Sequence, residues 1–78
     1  MQLQLYQRDH CHLCDLALAV LAAAKAPEFA SVWIDDDPVL QARYGERVPV
    51  LRDECDGREL GWPFDVAAVR RFMGDGAT

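Results

Sequence analysis

QLQLYQRDHCHLCDLALAVLAAAK, residues Gln2 to Lys25, sets two thiols, Cys11 and Cys14, between a run of period two and a run of helical period. In Gln2 to Tyr6, Leu3 and Leu5 share one face, the pattern of a first strand. Gln7 to His10 then forms a loop. From Leu13 onward, Leu13, Leu16, Ala17, Val20, Leu21 and Ala24 recur at helical spacing. Asp15 complements the dipole of that helix in its first turn, Lys25 does so near its end, and Pro27 closes it. A close cysteine pair where a strand passes into a helix is the placement of a dithiol redox centre.

Working outward, Phe29 to Asp35 carries Val32, Trp33 and Ile34, a β-branched and aromatic run suited to a second strand. The intervening helix makes it parallel to the first, through a right-handed crossover. Asp37 as N-cap, Pro38 at N1, Leu40 and Tyr44 one turn apart, and Gly45 at C′ predict a short second helix. Val48 to Asp53 and Arg58 to Gly61 flank Asp56-Gly57, a dipeptide that supplies the positive φ angles of a tight hairpin. The last helix starts at Asp65 as N-cap, with Phe64 stapled against Val69 and with Val66, Val69, Phe72 and Met73 facing inward. Gly74 ends it, and Gly74 to Thr78 reads as a frayed tail. The expected order is βαβαββα, an α/β fold with a four-stranded mixed sheet flanked by helices.

Composition narrows the function. With 78 residues the chain makes a single domain, residues 1–78, and its 51% apolar content supports a packed core. Three cysteines allow at most one internal bridge, so the fold rests on that core. Met1 to Tyr6 lacks the features of a secretory signal, and the apolar run Leu16 to Ala24 is nine residues against the roughly 20 a bilayer needs. A soluble, cytoplasmic monomer is expected, and in a reducing compartment a close cysteine pair is catalytic or metal-binding sooner than structural. A net charge of −5, with no basic cluster beyond Arg70-Arg71, argues against nucleic acid or an anionic membrane as partner.

A thiol is a useful nucleophile only as thiolate, and a helix N-terminus stabilises that anion through unpaired N–H groups and the dipole. Cys11 sits at that terminus and is read as the attacking thiol. Cys14, one turn further in, is read as the resolving thiol. Arg8 adds positive potential, His10 or His12 can donate a hydrogen bond or carry a proton, and Asp9 and Asp15 oppose the effect. Each of these charged side chains equally fits an ordinary solvated surface. Cys55, just before Asp56-Gly57, falls at a hairpin tip away from the dithiol and is expected to be a spectator.

Leu5-Tyr6, Arg8, the Cys-x-x-Cys and later Val48-Pro49-Val50-Leu51 resemble the glutaredoxin branch of the thioredoxin superfamily. Asp35-Asp36-Asp37, Tyr44-Gly45 and Val48-Pro49 are similar to the pattern of short bacterial glutaredoxin-like proteins. The resemblance runs from Leu3 to about Phe72. It implies a thioredoxin/glutaredoxin fold, a cis peptide bond before Pro49, and a Val48 backbone that pairs with an extended substrate beside Cys11. It also implies a thiol-disulfide oxidoreductase without a tightly bound cofactor, acting on a disulfide-containing protein or on glutathione as co-substrate. Departures from the pattern are His12 and Leu13 between the cysteines, Arg47 in place of threonine, and Gly61-Trp62-Pro63-Phe64-Asp65 in place of a Gly-Gly-x-Asp segment. Arg8, Arg43 and Arg47 are candidates to meet glutathione carboxylates. Asp65 is first an N-cap and second a ligand contact, and Trp62 either lines a groove or packs in the core.

Two other classes fit parts of the chain. His10, Cys11, His12 and Cys14 offer donors for Zn²⁺, Cu⁺ or an iron–sulfur cluster, although a second cysteine pair is missing and the order of His and Cys excludes haem attachment. A binding module that uses the Val48 edge with idle thiols is the third reading.

Overall fold

A computed structural model describes residues 1–74. Seven elements follow one another: β1 (Leu3–Gln7), α1 (His12–Ala23), β2 (Phe29–Trp33), α2 (Pro38–Tyr44), β3 (Val50–Asp53), β4 (Glu59–Gly61) and α3 (Val66–Phe72). The strands form one four-stranded sheet in the order β2-β1-β3-β4. β1 runs parallel to β2 and antiparallel to β3, and β3 runs antiparallel to β4. The expected α/β order and mixed sheet are those of the structure. Of the proposed tail, Gly74 is described and residues 75–78 lie outside the described residues.

Alternation along the two central strands divides the core into two layers. Leu5 lies opposite Leu51, and with Leu3 they meet Ala17 and Leu21 of α1, Ala24 at its C-cap, Phe64, and Val69 of α3. Tyr6 lies opposite Val50, and this pair meets Ile34, Tyr44, Val48 and Cys14. Burying a leucine fully is worth about 1.5–3 kcal/mol, so Leu5, Leu21 and Leu51, all at 0–1% exposure, anchor the first layer. In the second, the rings of Tyr6 and Tyr44 stack at 4.4 Å between centroids.

α1 is rotated from the expected orientation. Its buried residues are Cys14, Ala17 and Leu21, while Leu13 and Leu16 are 43% and 42% exposed. The run Leu16 to Ala24 is apolar all the way round, so periodicity alone does not select the inward arc. In the structure the inward arc carries Cys14, Ala17 and Leu21, and Ala24 at the C-cap continues it. The helix also stops earlier than Pro27. Ala26 N–H donates to the Leu21 carbonyl at 3.0 Å and Lys25 N–H to the Ala22 carbonyl at 3.1 Å, a Schellman arrangement with Lys25 at φ 56°.

Two turns also differ from expectation. Gly45 caps α2 at φ −52° instead of standing left-handed beyond it, and its lack of a side chain matters because a Cβ would run into the Gln41 carbonyl. In the β3–β4 connection only Gly57, at φ 77°, takes the positive region, and its N–H donates to the Asp53 carbonyl at 2.8 Å. The turn is therefore longer than a two-residue hairpin. The Asp53 carboxylate accepts from Cys55 N–H at 3.0 Å and Gln2 N–H at 3.2 Å, which holds its pKa below the ordinary carboxylate value despite burial. The caps at Asp37 and Asp65 form as expected, accepting from Val39 and Leu40 N–H and from Ala68 N–H respectively.

One polar network ties α2 to the sheet. Glu59 on β4 accepts from the Tyr44 hydroxyl at 2.5 Å, from Arg47 at 3.1 Å and from Arg52 at 2.9 Å. Burial alone would raise the Glu59 pKa, but the three donors outweigh it and hold the carboxyl below its ordinary value of 4.5. Burial, and then the bond to Glu59, push the Tyr44 hydroxyl up, so it stays a donor.

Two outcomes follow from these contacts. Lys25→Gly should raise stability in urea by about 0.5–1 kcal/mol, because glycine adopts the left-handed position without the Cβ clash and gives back part of the gain as unfolded-chain entropy. An unchanged or lower urea midpoint would contradict that account. Glu59 has a depressed folded-state pKa, so its contribution is complete above about 4.5 and is lost as pH falls through the lower folded value. Glu59→Gln should therefore flatten the decline in urea midpoint below pH 4.5 relative to the parent chain; parallel curves would refute it.

Candidate active site

The end of β1 delivers the chain to the dithiol through a tight approach. His10 takes φ 55°, and Cys11 then adopts an extended conformation, φ −103° and ψ 100°, as the N-cap of α1. Its Sγ accepts from the Cys14 N–H at 3.1 Å, the role an oxygen fills in an ordinary N-cap. Cys11 and Cys14 form a disulfide with Cα atoms 5.2 Å apart. In the reduced protein the same Cys11 sulfur would be a thiol or thiolate facing the same N–H and helix terminus. Burial separates the two, since Cys14 is 2% exposed and Cys11 is half-buried.

Val48 and Pro49 are both buried, and Val48 shares the Tyr6–Tyr44 layer with Cys14, against which Cys11 also packs. The Val48–Pro49 peptide bond is cis, as is Trp62–Pro63. Val48 N–H donates to the Tyr44 carbonyl at 3.0 Å, and Pro49 has no N–H to offer. Cys11, Cys14, Val48 and Pro49 are thus brought together, although Cys14 and Val48 stand 34 residues apart in sequence.

The charged candidates distribute less simply. Arg8 donates to the Gly45 carbonyl at 3.2 Å and lines a 280 Å³ cavity with Ile34, Asp35, Gln41 and Gly45. The Asp9 N–H donates to Asp35 at 3.0 Å, which ties the loop before Cys11 to the connection between β2 and α2. Arg43 and Arg47 both lie 5.4 Å from the Tyr44 ring, and Arg47 also pairs with Glu59. Asp65 is taken up with its helix cap and lines a different cavity, with Pro63, Phe64, Ala68 and Arg71. Trp62 packs edge-on against Phe64 at 5.0 Å and contacts the first core layer.

His10 and His12 are exposed on either side of Cys11. Among the described residues, no three His, Cys, Asp or Glu side chains come together as a metal-binding group. Cys55 is exposed and follows the end of β3 that pairs with Leu3, whereas the dithiol follows the end of β1 that pairs with Val50. The two thiol sites therefore lie at opposite ends of the sheet. No described helix is long and apolar enough to cross a membrane.

Glu59 is not legible as a site-related residue. No local motif marks it, because its link to the Val48 segment through Arg47 and Tyr44 exists only once β4 pairs with β3 and Val50 lies opposite Gly61.

Comparison with known proteins agrees with this geometry. No curated protein matches the chain. The X-ray structure of the structural-genomics target XcR50 from X. campestris is 58% identical, with a TM-score of 0.88, covering 97% of this chain and 99% of that one. Its solution structure gives a TM-score of 0.87 at the same 58% identity, over 100% of this chain and 97% of that one. The solution structure of Ne2328 from Nitrosomonas europaea is 29% identical, with a TM-score of 0.76, over 91% of this chain and 88% of that one. Residues 2–74 match the family described as Glutaredoxin-like domain (DUF836), and the cysteine pair at disulfide distance fits a redox role. With a thioredoxin-like sheet, a dithiol at the head of α1 and a family match along almost its whole length, the chain belongs to the glutaredoxin-like domain family.

Proposed function

We propose that the protein is a thiol-disulfide oxidoreductase that reduces protein or glutathione mixed disulfides through Cys11 and Cys14. The observation that carries this reading is the Cys11 sulfur at the N-cap of α1, accepting the Cys14 N–H at 3.1 Å. That position lowers the cost of a thiolate through the helix dipole and a direct hydrogen bond. The half-buried Cys11 and the 2%-exposed Cys14 suit attacking and resolving roles respectively.

In the first step the Cys11 thiolate forms a bond to one substrate sulfur, the substrate S–S bond breaks, and the departing thiolate takes a proton from solvent. In the second, Cys14 loses its proton and attacks the Cys11 sulfur. This releases the other substrate thiol and leaves the Cys11–Cys14 disulfide, so the substrate gains two electrons and the protein loses two. Arg8, Val48, Pro49 and Asp65 are proposed as substrate contacts, Arg8 for a carboxylate and Val48 for the backbone of an extended substrate. We further propose a cytoplasmic monomer with no tightly bound cofactor.

Cys14→Ser should stop the reaction after its first step. Intact-mass spectrometry after mild oxidation with glutathione disulfide or a disulfide-bearing protein is expected to find a single adduct on Cys11, while Cys11→Ser forms none. At neutral pH, Cys11 of the reduced protein should also react with iodoacetamide at least tenfold faster than Cys55, as a thiolate favoured by a helix N-terminus would. Equal rates at the two cysteines, or no adduct on Cys14→Ser with either oxidant, would refute the proposal.

A further inference from the structure

We propose that the outer edge of β2 is a docking site for an extended, basic segment of a partner protein, which joins the sheet there as a fifth strand. Docking of this kind is independent of the exchange chemistry proposed for the dithiol.

β2 is an edge strand in the order β2-β1-β3-β4, and only its inner side is paired. Ile34 N–H donates to the Gln7 carbonyl at 2.9 Å, which continues the ladder to β1, so Ala30 and Val32, in the same phase, turn their backbone groups inward. Phe29, Ser31 and Trp33 turn theirs outward. Among the described residues, none of these three N–H and three C=O groups has a hydrogen-bond partner. Natural sheet edges are blunted by lysine, proline, a bulge or a very short run. β2 has none of these, because Phe29–Trp33 is five uncharged residues in unbroken register with β1. The opposite edge is guarded, since β4 is three residues long and carries Glu59 with its arginine partners.

Side chains and charge define the occupant. Trp33 is 54% exposed although it stands opposite Gln7, at the end of β1 that leads to Cys11. A neighbouring strand would cover that ring with an apolar side chain. Carboxylates stand at both ends of the edge, Glu28 before it and Asp35 and Asp36 after it, with no Lys or Arg from residue 26 to residue 42. None of the three forms an ion pair among the described residues, and Arg8, which shares a cavity with Asp35, donates to the Gly45 carbonyl instead. A second copy of the chain is the wrong partner. Pairing β2 antiparallel on itself about Ser31 sets Glu28 of each copy opposite Ile34 of the other and beside its Asp35, and a parallel pairing sets the aspartate runs side by side. An uncharged five-residue stretch with lysine or arginine at both ends matches the edge.

The test uses the intact protein and two end-blocked nonapeptides without cysteine, Lys-Lys-Val-Thr-Val-Thr-Val-Lys-Lys and the same centre flanked by glutamates. Amide exchange with solvent, followed by NMR, reads each residue of the edge. With the basic peptide at about 1 mM, the Phe29, Ser31 and Trp33 amides should exchange about three- to tenfold more slowly, the protection expected from one hydrogen bond each. Ala30 and Val32, already bonded to β1, should stay within twofold, as should every edge amide with the acidic peptide. In the double variant Glu28→Gln, Asp36→Asn, which leaves the Asp9 contact to Asp35 in place, protection by the basic peptide should fall at least twofold. No slowing at the outward amides, or equal slowing at Ala30 and Val32, would overturn strand addition. Equal slowing by the acidic peptide, or full protection in the double variant, would overturn the basic occupant. Slowing that grows with protein concentration alone, together with a dimer in sedimentation, would overturn the partner in favour of a second copy. Neither peptide holds a sulfur, so each outcome stands whether or not the dithiol performs exchange.

Discussion

Burial of β1 on both faces is the constraint from which the other placements follow. A five-residue strand with Leu3 and Leu5 on one side and Tyr6 on the other needs a cover above and below, and needs strands on both edges to pair its backbone. β2 and β3 supply the edges, α1 and α3 cover the leucine side, and α2 covers the tyrosine side. The loop leaving β1 must then turn back at once into α1, and the residue at that turn is Cys11. The same packing that stabilises the fold thus sets a sulfur at a helix terminus.

Chemistry and packing share the second core layer. Cys14 is a buried member of a cluster with Tyr6, Tyr44, Val48 and Val50, so one partner of the dithiol belongs to the core and the other stands at its edge. This asymmetry of burial distinguishes two otherwise identical thiols. The polar side of the layer is organised around Glu59, where three donors compensate a partly buried carboxylate and connect α2 with β3 and β4. Isolated surface ion pairs contribute about 0–1 kcal/mol, and the value of this group lies less in stability than in joining separate elements at one point.

Much of this was readable from short-range signals. Asp37-Pro38 and Asp65 mark helix starts because an N-cap side chain and a ring-locked φ act within one turn of chain. The alternation of Leu3 and Leu5 shows in period two, and the cysteine spacing shows directly. The rotation of α1 did not show, because a helix apolar on every side carries no directional signal. The length of the β3–β4 turn was also missed, because the Asp53 carboxylate organises it by accepting from Cys55 and from the distant Gln2. Lys25 at a left-handed position gave no warning, since glycine is the residue that usually marks that site.

By itself, the sequence determined the order of strands and helices, the caps, and the presence of a dithiol at the start of α1, since each depends on residues within one or two turns of one another. Tertiary structure decided which side of α1 is buried, that Val48 and Cys14 share one core layer, and that Tyr44, Arg47 and Arg52 converge on Glu59. These contacts join segments far apart in the chain, and only the register of the sheet brings their side chains within hydrogen-bonding or packing distance.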